Sequence, residues 1–329
     1  ATPHPLMQIK IIDKNLVRDH LSMSRCIDLM EQAYTSLSAG TVDSPLRTAL
    51  SNDKGIVLYK PAYSGDAGIF CAKIVSVFPE NAQRNLEVTP GVILVNSAKT
   101  GMPIAMVEAG YLTSLRTGAA TGIAVKTLAA EDATTAALFG TGGQSRHQLE
   151  ALLCARAFQT IYVFSRNPEN ATQFCEDNAD LATNCELIPN PPRSVLKSCQ
   201  VIATATTSPS AVLEDDEIAD DVFISAVGSL GPKNTEISEA TMLRSAVLVD
   251  NRAACLAEAG EITLLTSTGK LPSDFHPVEM GEILNGSQPK PDKHPIVFKS
   301  VGNAAQDLVC VADLLQSLES VHDLPRVSL

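Results

Sequence analysis

The spacing of hydrophobic residues changes period twice along this 329-residue chain. Near the start, Met23, Cys26, Ile27, Met30, Ala33, Tyr34 and Leu37 recur every three or four positions, which predicts an amphipathic helix stopped by Gly40. The period then shortens. "GIVLYKPAY", "GIFCAKIVSVFP" and "TPGVILVNSAKTGMPIAMVEA" read as strands, and Ser64-Gly65-Asp66 and Lys99-Thr100-Gly101 turn them into antiparallel hairpins. From about residue 117 "TGAATGIAVKTLAA" predicts a helix of small residues. Strand and helix then alternate: strand 136–140, helix 143–157, strand 160–165, helix 168–177, then apolar runs in "QVIATAT", "DVFISAVG" and "AVLVD". Such alternation implies a parallel sheet with helices on both faces. Residues 264–293 are punctuated by proline and glycine around one short helical piece. "PIVFKS" adds a strand, and "VGNAAQDLVCVADLLQSLESV" closes the chain as a long amphipathic helix.

Composition narrows the classes. The length suits about two domains, and no apolar run reaches the ~18 residues that span a bilayer. "ATPHPLMQIK" shows no basic segment followed by an apolar one, so no signal peptide is expected. A net charge of −12 argues against nucleic acid, whose phosphates need a basic surface. Eight cysteines are scattered singly, the pattern of reduced core thiols in a cytoplasmic protein, with no metal site.

The chemistry begins at "LFGTGGQSRHQLEAL". Gly140-Thr141-Gly142-Gly143-Gln144-Ser145 follows an apolar strand and opens a helix, as a dinucleotide loop does, with Ser145 where a third glycine is usual. The first glycines permit a tight turn and close approach of N–H groups to a pyrophosphate, and serine is small enough for helix–strand packing. The next strand ends in Ser165-Arg166-Asn167, where an NAD site usually places an acid. Arginine forks onto a phosphate, so NADP(H) is preferred, with NAD(H) as second choice. His147 reads as a solvent- or phosphate-side residue. Further strand ends at Thr204-Ala205-Thr206, Val227 and Val301-Gly302 border the crevice where ligands sit in such sheets.

The first third offers three separated cations, Arg47, Lys73 and Arg116. Lys73 lies inside an apolar run, where an unpaired ammonium is costly. A bound carboxylate resolves that cost, and so does a structural one.

"SLRTGAATGIAVKTLA", "LFGTGGQSRHQLEAL", "AVGSLGPKNTEI" and "FKSVGNAAQDL" together resemble the ornithine cyclodeaminase/mu-crystallin family, in the same order across nearly the whole chain. The resemblance implies an α/β protein with two domains. A Rossmann-type doubly wound parallel sheet (118–303) holds the cofactor. An α+β domain (1–117 with 304–329) binds substrate and forms a homodimer through its sheet. It also implies that Arg47, Lys73 and Arg116 converge on an amino- or imino-acid carboxylate, with Val301 and Gly302 near the nicotinamide. The family's cyclodeaminases carry an aspartate where this chain has Leu230. Leucine cannot handle the amine steps of cyclodeamination but packs against an apolar ring, and Ser229 beside it is either a polar substrate contact or a turn residue. The expected activity is reduction of a cyclic imino acid, Δ1-pyrroline-2-carboxylate or Δ1-piperideine-2-carboxylate, by hydride transfer. Lys73 either binds the carboxylate, the favoured role, or supplies a proton. An alanine-type dehydrogenase, a cyclodeaminase and a non-catalytic crystallin-like binder are the alternatives. Thr117 contacts ligand or caps the helix that follows, Asp307 pairs with a buried cation, and Glu214-Asp215-Asp216-Glu217 is expected to be a solvated helix start.

Overall fold

The computed structural model describes residues 7–229 and 231–329. In chain order its first elements are β1 (Gln8–Ile12), α1 (Lys14–His20), α2 (Met23–Ser38), β2 (Val42–Asp43), β3 (Thr48–Ser51) and β4 (Ile56–Ser64). β5 (Ile69–Val77), β6 (Gly91–Ser97), β7 (Pro103–Glu108) and α3 (Ala109–Leu128) follow. Next come β8 (Thr135–Phe139), α4 (Ser145–Ala155), β9 (Thr160–Phe164), α5 (Pro168–Asp177), β10 (Glu186–Pro189), β11 (Val201–Thr204) and β12 (Phe223–Ala226). The rest are α6 (Glu239–Arg244), β13 (Ala246–Val249), α7 (Arg252–Glu258), α8 (Gly260–Ser267), β14 (Val278–Glu279), α9 (Met280–Leu284), β15 (Ile296–Lys299), α10 (Ala304–Ser317) and β16 (Arg326–Ser328). These form two units, Ala1–Arg116 with Asn303–Leu329, and Thr117–Gly302.

The first unit is built on a mixed sheet ordered β16-β1-β7-β6-β5-β4-β2, with β3 on β4. Burial alternates along β4 and β5, so one face is packed and the other is not. The inward face carries Leu58, Lys60 and Ala62 on β4 and Cys71, Lys73 and Val75 on β5, and packs against α10. In the second unit β10-β9-β8-β11-β12-β15-β13-β14 pair in parallel throughout. Its central strands are buried at nearly every residue, because helices cover both faces. The order reverses direction between β8 and β11, which opens a crevice beyond their carboxyl ends.

Several expectations need correction. α3 starts at Ala109 rather than near residue 117, because the Glu108 carboxylate accepts from the Gly110 and Tyr111 N–H groups and starts the helix directly off β7. Thr117 therefore lies in mid-helix and caps nothing. β1 pairs with β7 and β16, partners distant in sequence, and local spacing had not distinguished it. α10 is less amphipathic than expected: every residue from Ala304 to Val311 is buried. The acidic run is only a short 3-10 turn at Asp215–Glu217, and it is not simply solvated, since Arg244 holds Asp215 and Arg193 holds Glu217.

Candidate functional site

The crevice of the second unit starts at Gly140, whose φ of +110° is open to glycine. A Cβ there would lie 2.5 Å from the Ala205 carbonyl oxygen, so the turn after β8 and the end of β11 touch only because the side chain is missing. Gly142 and Gly143 border open space. α4 then starts at Ser145 with no side-chain cap from Gln144, which leaves first-turn N–H groups for an anion. Ser145 Oγ and Gln144 Oε1 are buried without a hydrogen-bond partner. His147 is buried too, which corrects its expected solvent position; close packing of α3 on α4, where a Cβ on Gly118 would meet the His147 carbonyl at 2.4 Å, explains it.

A cavity of about 650 Å³ lies over this turn, lined among others by Thr141, Ser165, Arg166 and Thr206. No aspartate or glutamate is among its described lining residues. Thr141 Oγ1 donates to Ser165 Oγ at 3.2 Å, and Asn190 brackets the Ser165 backbone through both its side-chain atoms. Asn167 is the N-cap of α5, accepting from the Glu169 N–H, so its side chain serves the helix. Arg166 between them is exposed and available to a ligand. Arg193, a residue sequence reading passed over, also lines the cavity; it lies 5.5 Å and 5.8 Å from the ring centroids of Phe139 and Phe164 and pairs with Glu217.

The neighbouring loops are tied by buried carboxylates. Glu236 accepts from Thr204 Oγ1 and from the N–H groups of Thr206, Gly228 and Ser229, joining the ends of β11 and β12. Val227 donates to the Thr204 carbonyl, and Asp250 accepts from the Val301 and Gly302 N–H groups. Ser229 turns its hydroxyl inward, donating to Glu261 at 3.0 Å and accepting from Lys299 at 2.7 Å, so it is an internal link in place of a substrate contact. Leu230 lies outside the described residues.

The first unit holds the cations. Lys73, 1% exposed, meets both oxygens of fully buried Asp307 at 2.8 Å and donates to Thr113 Oγ1 at 3.1 Å. Arg116 Nε donates to Asp307 at 3.2 Å, and its Nη1 donates to Gln306 Oε1, also at 3.2 Å. Gln306 Nε2 continues to the Tyr34 hydroxyl. Asp307 is thus the structural carboxylate that Lys73 needs. Burial alone would raise its pKa, but Lys73, Arg116 and Lys60 hold it below the usual range. Burial pulls the Lys73 ammonium down to about 8, against the opposing pull of Asp307. Arg47 is half-buried immediately before β3. Sequence reading missed Lys60, although it shares the inward face with Leu58 and Ala62; the alternation of β4 was the available signal. Lys73, Arg116 and Lys60 thus gather around the single Asp307 carboxylate, an excess of positive charge of the kind that suits an anion.

Known proteins resemble this chain over nearly its whole length. A Δ1-pyrroline-2-carboxylate reductase of Bacillus cereus is 29% identical over 304 residues, 91% of this chain and 93% of its own. The structure of Thermococcus litoralis Δ1-pyrroline-2-carboxylate reductase in complex with NADH and L-proline superposes with a TM-score of 0.89 at 29% identity, covering 94% of this chain and 97% of that one. An archaeal alanine dehydrogenase dimer with bound NAD gives a TM-score of 0.89 at 26% identity, over 98% and 99% of the two chains. Residues 8–320 match the sequence profile of the ornithine cyclodeaminase/mu-crystallin family, and this chain is a member of it.

Proposed function

We propose that this protein reduces cyclic imino acids such as Δ1-pyrroline-2-carboxylate or Δ1-piperideine-2-carboxylate to L-proline or L-pipecolate, with NADP(H) preferred over NAD(H). The observation that carries this reading is the buried cluster of Lys73, Arg116 and Asp307, a carboxylate-binding arrangement in a family whose relatives include reductases of that substrate. Arg47 and Arg116 clamp the carboxylate, and Lys73 binds it beside them while Asp307 keeps both cations oriented. Lys73 is the poorer proton donor, since an ammonium close to an iminium repels it.

A nicotinamide dinucleotide fits the second unit and would supply the hydride. Gly140, Thr141, Gly142, Gly143, Gln144 and Ser145 would hold its pyrophosphate. Ser165, Arg166 and Asn167 would border its adenosine ribose, and Thr204, Ala205, Thr206, Val227 and Val301, with Thr117, its nicotinamide half. Gly302 would complete the substrate side. The two solved relatives carry NADH and NAD, so the NADP(H) preference rests on Arg166 and on a cavity without acids.

The outer face of the first sheet leaves Tyr59, Tyr63, Phe70, Ile74, Val92 and Met106 exposed, an apolar surface suited to a second copy in a homodimer. Eight free cysteines suit a reducing compartment such as the cytoplasm, and no described helix is long and apolar enough to cross a membrane.

The alanine dehydrogenase relative keeps one second reading in play. An assay across Δ1-pyrroline-2-carboxylate with NADPH, L-alanine with NAD, and L-ornithine separates the chemistries. Oxidation of NADPH with the imine supports the proposal; turnover of only the other two overturns it.

A further inference from the structure

Gln148 is a polar residue in the middle of an apolar helix face. Along α4 the positions that share its side are Ala151, Leu152 and Ala155, all buried, and the helix packs against β8. The Gln148 side chain is itself fully buried, yet neither its amide oxygen nor its amide nitrogen has a hydrogen-bond partner among the described residues. A buried amide left unpaired costs stability, so packing alone would favour an aliphatic residue here.

Two neighbours share the problem. Ser145 Oγ and Gln144 Oε1, three and four residues earlier on the same side of α4, are also buried without a partner among the described residues. In a helix the Cα–Cβ bond tilts toward the N-terminus, so Gln148 leans over the turn that Gln144 and Ser145 begin. On one flank α3 closes in, since a Cβ on Gly118 would meet the His147 carbonyl oxygen at 2.4 Å. At the N-terminal end, by contrast, Gly142 and Gly143 border open space. The unpaired groups therefore gather at the open end of the helix, where Gln144 provides no side-chain cap for the first-turn N–H groups.

An amide needs an acceptor for its NH2 and a donor for its oxygen. A phosphate supplies acceptors only. A pyrophosphate together with the ribose next to it supplies both, phosphate oxygens for Nε2 and a hydroxyl for Oε1. Gln148 is not among the described residues that line the cavity beside Arg166, so the ribose it suits is the one on the nicotinamide side.

We propose that Gln148 is a cofactor-binding residue whose amide bonds the pyrophosphate and the nicotinamide-side ribose of the dinucleotide. This rests on the reading that the second unit holds such a cofactor. It adds a contact outside the glycine turn, and one indifferent to the choice between NADPH and NADH.

Calorimetric titration of the full chain and of Gln148→Met with NADPH, NADH and adenosine 5′-monophosphate tests it, alongside thermal unfolding without ligand. The loss of two hydrogen bonds should weaken NADPH and NADH alike, by at least about tenfold. The monophosphate lacks the pyrophosphate link and the second ribose, so its affinity should stay within about twofold. The ligand-free variant should melt at or above the wild-type temperature, because an unpaired buried amide has been replaced by an apolar chain of similar shape. Gln148→Leu should repeat the pattern. Dinucleotide affinity unchanged in Gln148→Met overturns the proposal, and so does a lower melting temperature, which would give the amide a structural role. A wild type that binds neither dinucleotide overturns the cofactor reading itself, and the proposal with it.

Discussion

The two units solve opposite electrostatic problems. The second holds an open cavity in which Arg166, among the described lining residues, is an exposed cation. The first buries Lys60, Lys73 and Arg116 with Asp307. An exposed guanidinium costs almost nothing to keep, whereas buried charges are tolerated only in good geometry. A change at Arg166 should therefore alter which nucleotide is used while leaving the fold intact. Changes in the buried cluster of the first unit should cost stability and activity together.

The sharpest break is Asp307→Asn. It removes the one carboxylate that Lys73 and Arg116 share, and unfolding free energy should drop by about 3–5 kcal/mol in denaturant titrations. A loss below about 1 kcal/mol would mean that the buried cations do not depend on this carboxylate. Gly140→Ala should be next, with about 1–3 kcal/mol of strain from its positive φ and from the Cβ placed against Ala205. Dinucleotide affinity should fall with it; tight binding retained by the variant would remove the turn from the cofactor site.

Arg166→Asp should leave stability within about 0.5 kcal/mol and lower the NADPH:NADH ratio of kcat/KM at least about tenfold. An unchanged ratio would take Arg166 out of the account. A pH dependence accompanies these effects. The Lys73 ammonium sits at about 8 in the fold against 10.5 for an ordinary lysine. Between those values the unfolded chain binds the extra proton, so this lysine makes stability rise with pH across the window. Thermal unfolding of the wild type should show that slope more strongly than Lys73→Met; equal slopes would contradict it.

The same contrast explains what the sequence could and could not reveal. The glycine turn of the second unit is local: one strand, one turn and one helix carry the glycines, and Arg166 follows at the end of the next strand. Spacing suffices to read that geometry. In the first unit, Lys73 and Asp307 are 234 residues apart, and Lys60 meets Lys73 only through strand register. Lys73 could be recognised as a charge in need of a partner, because it interrupts an apolar run. Alternation along β4 could have put Lys60 on the face of Leu58 and Ala62, but its pairing with Lys73 is known only from the register. β1 escaped for the same reason, its partners lying at the far end of the chain and on β7. Ser229 was legible only as polar; that it faces Lys299 and Glu261 depends on strands and helices it does not adjoin in sequence.

In the proposed reaction the buried cations of the first unit hold the carboxylate of an imino acid reduced at the expense of NADPH. Steady-state NADPH oxidation with Δ1-pyrroline-2-carboxylate, measured side by side for the wild type and Arg116→Lys, tests it most directly. The wild type should oxidise NADPH. The variant, which loses the guanidinium fork, should fall at least about a hundredfold in kcat/KM for the imine at an unchanged KM for NADPH. No oxidation by the wild type, or equal kcat/KM in the two proteins, would contradict it.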